Sequence, residues 1–445
     1  MPDTCTLELY AAGAWHAAAS VSLLGSEADG WKAKTYSGYA VEWAFAHAGA
    51  TDAHAMCARW PVGLEPYQEE HWPVHLIDML PQGYGRQELL RRIGAPAAAG
   101  VAADWKLLLA GAGNPIGNLR VKEAADSLAA NAGSLRGFTD DEVAQRGDKF
   151  AEYLASHGLF VAGSSGVQGE WPKILLTRAD DGLLYLDHTL PDERAVQHYI
   201  VKFGRGTDPQ LASILRHEAP YMDIARLLGL RVHAPLILRQ RALFIPRFDR
   251  VAQGGAVTRL AQESIATLTG MPGFESVPSH DQVCEALIRH SSDPQSDVLE
   301  YIKRDIANLA LLNKDNHARN TAVQRDFHGR IALTPLYDFV PMYLHPDGIA
   351  RRIRWEGNDN GQPDWARVVD RVCELAAQVL QTKPGAKKKR KPTIAREALV
   401  AGLKAMEPAL RQVVADGNAL GVEPDVLNHI RPHLLARADE LATLA

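Results

Sequence analysis

Asp315 and Asn320 stand five positions apart in Asn313-Lys314-Asp315-Asn316-His317-Ala318-Arg319-Asn320. A carboxylate and a carboxamide at that interval suit phosphoryl transfer. The first accepts the proton of an attacking hydroxyl, and the second turns an oxygen to a metal. Asn320 leads into a strand–turn–strand pattern: Thr321-Ala322-Val323, a turn over Asp326–Gly329, then Ile331-Ala332-Leu333. The return strand ends at Leu336-Tyr337-Asp338-Phe339, so the hairpin brings Asp338 back beside Asn320 although 18 residues separate them. Two oxygen ligands suit Mg2+, which keeps several waters and takes few protein ligands. Taken singly, Asp315 reads as a helix cap and Asp338 as a turn residue, the common uses of loop aspartates. The joined pattern is what carries the chemistry.

A cation for nucleotide phosphates is offered by Lys202, inside the apolar strand Tyr199-Ile200-Val201-Lys202-Phe203. A lysine there either snorkels from a sheet edge or binds phosphate and pairs with a helical glutamate. Glu218, 16 residues later in the following helix, is the candidate partner, with a surface charge as the plain alternative. Before the lysine strand lies Gly163-Ser164-Ser165-Gly166-Val167-Gln168-Gly169, small residues whose backbone N–H groups can approach phosphate oxygens. A surface turn would have the same composition.

These groups need elements to hold them. Thr6–Tyr10 alternates as a half-buried strand. Residues 87–93 read as a helix ending at Gly94, and Asp104 reads as the N-cap of the helix from Trp105 to Ala110. The stretch 122–139 is a candidate linker, followed by a helix over 140–157. Strands are expected at 173–177, 183–186, 199–203, 234–239 and 242–248, around a helix over 208–228. Beyond about Ala261 the chain turns helical apart from the hairpin. Residues 382–393, TKPGAKKKRKPT, read as a solvated loop, and 394–445 as two or three amphipathic helices.

The 445 residues allow two or three domains, and a net charge of −5 gives no bulk pull toward nucleic acid. Four scattered cysteines support neither a disulfide framework nor a thiolate zinc site. No signal peptide or membrane span is read, so a cytoplasmic protein is expected.

In chain order, Ser165-Gly166-Val167-Gln168, Val201-Lys202-Phe203, Arg247-Phe248-Asp249-Arg250, Asp315-Asn316-His317-Ala318-Arg319-Asn320 and Tyr337-Asp338 resemble the HipA family of bacterial toxin kinases. So do His75–Gly83 and Asn114–Arg120, which extends the resemblance over nearly the whole chain. It implies an α+β, two-lobed protein-kinase-like fold. An N-terminal α/β subdomain would span 1–125, an N-lobe with phosphate loop and ATP lysine 126–250, and a mostly helical C-lobe 251–445. It implies an ATP-dependent serine/threonine protein kinase, with Asp315 as catalytic base, Asn320 and Asp338 on Mg2+, Lys202 on the ATP phosphates and His317 near the nucleotide. Gly166, Val167 and Gln168 would cover the phosphates, and the backbone of Ile245, Pro246 and Arg247 would hold adenine. Ser164 and Ser165 are the local candidates for autophosphorylation. The implied partners are a HipB-like helix-turn-helix antitoxin, operator DNA reached only through it, and a protein substrate such as an aminoacyl-tRNA synthetase. The chain departs from the family pattern at Gln168–Lys173, longer than the usual turn, at Pro246, at Ser264 after Gln262-Glu263, at Val340 where a D-F-G element has glycine, and at the Lys387–Lys391 run.

Two other classes fit parts of the pattern. A catalytically inactive kinase-like scaffold in a DNA-bound repressor complex would have no need of both metal ligands. A metal-dependent phosphoesterase would rest on Asp315-Asn316-His317 with Asp187-His188. The basic run has its own functional alternative to a solvated loop, a contact with the phosphate backbone of DNA.

Overall fold

The computed structural model describes residues 3–131, 133–156, 171–204, 206–274, 277–381 and 394–445. Ser164, Ser165, Gly166, Val167, Gln168 and the Lys387–Lys391 run lie outside them. The chain divides into two compact units, one of Met1–Gly206, Leu236–Ser276 and Gln324–Gly329, the other of Thr207–Pro235, Val277–Val323 and Arg330–Ala445. Helices and antiparallel sheets together make the fold α+β, as expected.

The first unit holds two five-stranded sheets. Strands β1 (Thr4–Ala11), β2 (Ala14–Leu23), β3 (Thr35–Tyr39), β4 (Tyr67–Glu69) and β5 (Leu119–Val121) pair in the order β4-β3-β2-β1-β5. The tight β1–β2 turn places Ala12 and Gly13 both at positive φ, 49° and 83°, the conformation a two-residue hairpin needs. Cys5, Leu7, Leu9 and Val21 alternate inward onto a core that contains Trp72 and Trp105. The second sheet is β6 (Lys173–Ala179), β7 (Leu184–Leu186), β8 (Ala195–Phe203), β9 (Ile237–Arg239) and β10 (Ala242–Pro246), ordered β7-β6-β8-β10-β9. Its core gathers Ile174, Leu176, Val201 and Phe244 against Phe138 and Phe150. A two-stranded ribbon, β11 (Arg250–Gln253) with β12 (Ala256–Arg259), and the strand β13 (Ala261–Ser264) follow.

A buried ion network ties loop 114–117 to the end of β10. Arg247 donates to both oxygens of Asp249 (2.9 and 2.7 Å), to Asp187 (3.3 Å) and to Pro115 O (3.1 Å). Arg250 donates to Gly117 O and Asp249, and Gly117 N–H donates to Asp249 at 2.7 Å. Burial opposes the Asp249 charge, but Arg247 and Arg250 outweigh it and hold its carboxyl well below the usual range. A buried carboxylate stripped of such partners typically costs about 3–5 kcal/mol.

The second unit is mostly helical. It contains Pro209–Leu227, His280–His290, Pro294–Ala310, Trp365–Gln381 and three C-terminal helices, Arg396–Lys404, Glu407–Asp416 and Pro424–Thr443. Strand β14 (Ala322–Arg325) is followed by β15 (Ile331–Leu333), and Thr334 N–H donates back to Ala322 O at 3.0 Å. Among the described residues no single helix is long and apolar enough to cross a membrane.

Several local expectations are corrected. Asp104 is the first residue of its helix, not the cap. Its buried carboxylate accepts instead from Arg86 (2.7 Å) and from Trp31 N–H (3.2 Å). The expected linker begins as a helix, Lys122–Ala130, that buries Ala124, Ala125 and Leu128. The helix expected over 140–157 is two, Asp140–Gln145 and Asp148–Ser156, parted where Arg146 turns left-handed at φ 51°.

His75 gives the first unit a measurable pH dependence. It is buried beside the Trp60 ring at 5.3 Å. Burial, with Arg325 and Arg59 nearby, lowers its pKa to about 3. From pH 6.5 down to about 3 the unfolded chain binds a proton that the folded chain refuses, so stability falls as the pH is lowered. The loss approaches about 1.4 kcal/mol per pH unit. In denaturant titrations His75→Leu is expected to lose about 2 kcal/mol less than the parent between pH 7 and pH 5. Equal losses would contradict this.

Candidate active site

The second unit builds its site on the loop after the helix Pro294–Ala310. The chain leaves that helix through Leu312 at φ 55°, a left-handed turn that leucine rarely adopts. Asn313 anchors the turn, its Nδ2 donating to Asn308 Oδ1 (3.0 Å) while its Oδ1 accepts from Asp315 N–H (3.4 Å). Asn320 closes the loop, because its Nδ2 donates to the Asp315 carbonyl at 2.9 Å. With the nitrogen so engaged, the amide oxygen is the atom available to a cation.

Asp338 arrives on the segment after β15. Tyr337 Oη donates to Arg319 O at 2.9 Å, which fastens the returning segment to the loop. Asp338 sits at φ 53°, a conformation that aspartate tolerates better than most residues. Phe339 is buried with its ring 5.8 Å from Tyr221 in the helix Pro209–Leu227. Asp315, Asn320 and Asp338 all line one pocket of about 30 Å³, room for a water or two or a small cation. His317 neighbours Asp315, its Nε2 3.7 Å from Asp315 Oδ1 and its Nδ1 accepting from Arg319 N–H. Burial lowers its pKa while Asp315 and Asp338 work the other way, and the net shift is downward. The imidazole is therefore neutral near pH 7.

Asn316, read from the sequence only as part of the phosphoesterase and kinase motifs, and Asp305, not singled out there, line the same pocket. Asn316 Oδ1 accepts from Arg352 N–H (2.8 Å) and Ile353 N–H (3.3 Å), and its Nδ2 donates to Ile353 O (3.0 Å). Asp305 accepts from Arg351 and from the Trp355 indole. Burial opposes its charge, but His280 and Arg351 hold it well below the usual carboxylate range. Both residues tie the stretch 351–355 to the pocket wall. The one signal for them in the sequence is the polar side chain in a segment otherwise bound for the core.

The first unit holds Lys202, 2% exposed on β8, with its Nζ 5.5 Å from the Trp171 ring centroid. Directly opposite on β6 stands Lys173, also buried, so both side chains project to one face. Like charges in that position repel unless an anion lies between them, whether from the protein or from a ligand. Ile245 and Pro246 are partly exposed at the end of β10. Arg247 N–H already donates to His198 O at 2.9 Å, and proline has no N–H, so carbonyl oxygens are what this segment offers. Glu218 lies in the second unit and is 1% exposed, unlike a solvated surface charge. Asp187 belongs to the ion network, where it accepts from His198 Nδ1–H and Thr177 Oγ1–H (2.7 Å each). Its role is structural, which removes the footing of the phosphoesterase reading.

A family model, the HipA-like C-terminal domain, matches residues 165–403, over half of the chain. The chain belongs to the HipA family. Across 98% of this HipA-like chain and 97% of the other, its fold matches HipA in the Shewanella oneidensis MR-1 toxin–antitoxin complex of HipA, HipB and operator DNA, with a TM-score of 0.61 and 17% identity. The putative kinase Y4mE of Sinorhizobium fredii is 33% identical over 141 residues, a match that spans 29% of this chain and about a third (33%) of that relative. A fainter likeness, TM-score 0.32 and 14% identity over 56% of this chain and 87% of the other, is to the Helicobacter pylori proinflammatory kinase CtkA.

Among the described residues no group of three or more His, Cys, Asp or Glu forms a ready-made metal cage. The amide–carboxylate pair Asn320 and Asp338 fits the sparser demand of Mg2+, which completes its shell with waters and phosphates.

Asn316→Ala leaves the Arg352 and Ile353 backbone groups without their side-chain partner. Amide hydrogen exchange across 350–355 is expected to accelerate at least tenfold, with a stability loss of about 1–3 kcal/mol. Unchanged protection there would contradict the brace.

Proposed function

We propose that this HipA-family chain is an ATP-dependent serine/threonine protein kinase and the toxin of a toxin–antitoxin pair. The observation that supports it most is the convergence of Asp315, Asn320 and Asp338 on one small pocket, with the Asn320 nitrogen spent on the Asp315 carbonyl. In this reading Asp315 accepts the proton of the attacking serine or threonine hydroxyl. His317, its pKa lowered by burial, stands beside that carboxylate. Asn320 Oδ1 and the Asp338 carboxylate hold Mg2+, which when bound neutralises charge on the ATP phosphates. Lys202, with Lys173 beside it, supplies the cations that grip those phosphates. The carbonyls of Ile245 and Pro246, with that of Arg247, accept from the adenine amino group.

Gly166, Val167 and Gln168 cover the phosphates in this reading, and Ser164 or Ser165 accepts phosphate from the chain's own site. The Shewanella HipA was solved with HipB and operator DNA. A HipB-like antitoxin is the partner proposed here, with DNA reached through it. The protein target is a translation component, of which an aminoacyl-tRNA synthetase is the leading candidate, and the setting is the cytoplasm.

Purified protein given radiolabelled ATP and Mg2+ is expected to label itself, with mass spectrometry placing phosphate on Ser164 or Ser165. Asp315→Ala should slow labelling by about 100- to 10,000-fold, and Asp338→Asn should abolish it. Labelling by Asp315→Ala at the parent rate would remove that residue from the mechanism. Mg2+-dependent nucleotide binding with no transfer by the parent would favour the inactive scaffold instead.

A further inference from the structure

The helix Pro294–Ala310 runs into the catalytic loop, and its buried side chains also reach the strand that returns toward Asp338. Glu300 and Arg304, one helical turn apart and 4% and 3% exposed, form an ion pair in which Arg304 Nε–H donates to Glu300 Oε1 at 2.9 Å. Arg304 Nη2 donates onward to Thr334 O at 2.6 Å, just past the end of β15. Its Nη1 has no partner among the described residues, so the guanidinium holds the strand end through that one carbonyl. The same Glu300 oxygen accepts from Arg231 N–H at 3.0 Å, and Arg231 O in turn accepts from Leu336 N–H at 2.7 Å. At the other end of β15, Ile331 N–H donates to Ser292 Oγ and Ser292 N–H donates to Ile331 O, each at 2.8 Å. Ser292 lies two residues before the same helix begins.

One helix is therefore the common support of both sides of the site. Its C-terminal end carries the loop with Asn320, and its side chains hold Thr334 and Leu336, four and two residues before Asp338. Mg2+ demands near-octahedral geometry, so small shifts between its two protein ligands are felt. A surface ion pair is screened and pays entropy to stay in one place. Buried charge-assisted hydrogen bonds are stronger and fix direction as well as distance. Such a pair gains little stability over apolar side chains of similar volume, so stability alone is a poor account of two charges buried here. Placement of the strand end is what the pair supplies.

We propose that Glu300 and Arg304 are positioning residues for phosphoryl transfer. Acting through Thr334 O and the backbone of Arg231, they set the distance between Asn320 and Asp338 before a metal arrives. The inference rests on those two residues being the metal ligands, as in the function proposed above. Removing the outer partners of metal ligands typically costs about 10- to 100-fold in metal affinity.

Electron paramagnetic resonance of the full-length protein, titrated with Mn2+ beside a non-hydrolysable ATP analogue, reads this directly. The double variant Glu300→Leu/Arg304→Met exchanges the pair for apolar side chains and should weaken Mn2+ at least about tenfold. Glu300→Gln keeps an oxygen where both donors point and should stay within about threefold of the parent. In labelling assays the double variant should need at least about tenfold more Mn2+ for half its maximal rate, with that maximal rate within about threefold of the parent. Asp338→Ala separates the two layers of the argument. If it weakens Mn2+ while the double variant does not, the positioning role falls and the metal ligands stand. If it leaves Mn2+ binding unchanged, both fall. A lower maximal rate in the double variant with an unchanged Mn2+ requirement would also overturn the proposal. One measurement needs no variant to fold: in the parent, amide hydrogen exchange across 334–338 should be as slow without Mn2+ as with it. Slowing of more than about tenfold on metal binding would show that the metal, not the helix, places the segment.

Discussion

Asp305, Asp315 and Asp338 all line one small pocket, and a slack loop would let the last two part under the repulsion of like charges. Most of the second unit's polar detail can be understood as resistance to that motion. The Asn320 amide closes the loop onto the Asp315 carbonyl, and Tyr337 fastens the segment that carries Asp338 to Arg319. Leu312 and Asp338 both accept left-handed backbone conformations at the two approaches to the site. Such conformations persist only where the surroundings over-determine them. Strain of this kind clusters at functional sites.

The braces have braces of their own. Asn316 turns its whole amide onto the backbone of Arg352 and Ile353, and Asp305 gathers Arg351 and the Trp355 indole one helical turn behind the loop. The first unit solves a comparable problem differently. There the Arg247, Asp249, Asp187 and Arg250 network is fully buried, so its charges are sustained by one another and by backbone carbonyls. It fixes the end of β10 against the loop at Pro115 and Gly117, which explains why Asn114–Arg120 and Arg247–Arg250 both stand out in the sequence.

How much was legible before folding follows from how local each signal is. The spacing of Asp315 and Asn320, the hairpin after them and the aspartate at its end are all encoded within 24 consecutive residues, and each was read in place. The strand that carries Lys202 and the helix capped by Asp208 were equally local. Lys173 was passed over as part of a lengthened turn, because its importance lies in its register opposite Lys202, and register between strands cannot be counted along one chain. The linker reading of 122–139 weighed polarity above the strong helix propensity of alanine. The β11–β12 ribbon was missed although Gly254-Gly255 between two β-branched stretches is a usable turn signal. Asp104 and Asn316 show the remaining difficulty. A short polar side chain looks the same in sequence whether it caps its own helix or braces a distant backbone.

Where the metal sits tests the central claim most directly. In a crystal soaked with Mn2+ and a non-hydrolysable ATP analogue, anomalous scattering should place a cation within about 2.2 Å of both the Asn320 side-chain oxygen and an Asp338 carboxylate oxygen, close to the distances Mg2+ prefers. Asp315 should remain outside the coordination shell, placed to receive a proton. A cation bound through Asp315, or one that touches neither Asn320 nor Asp338, would contradict the account.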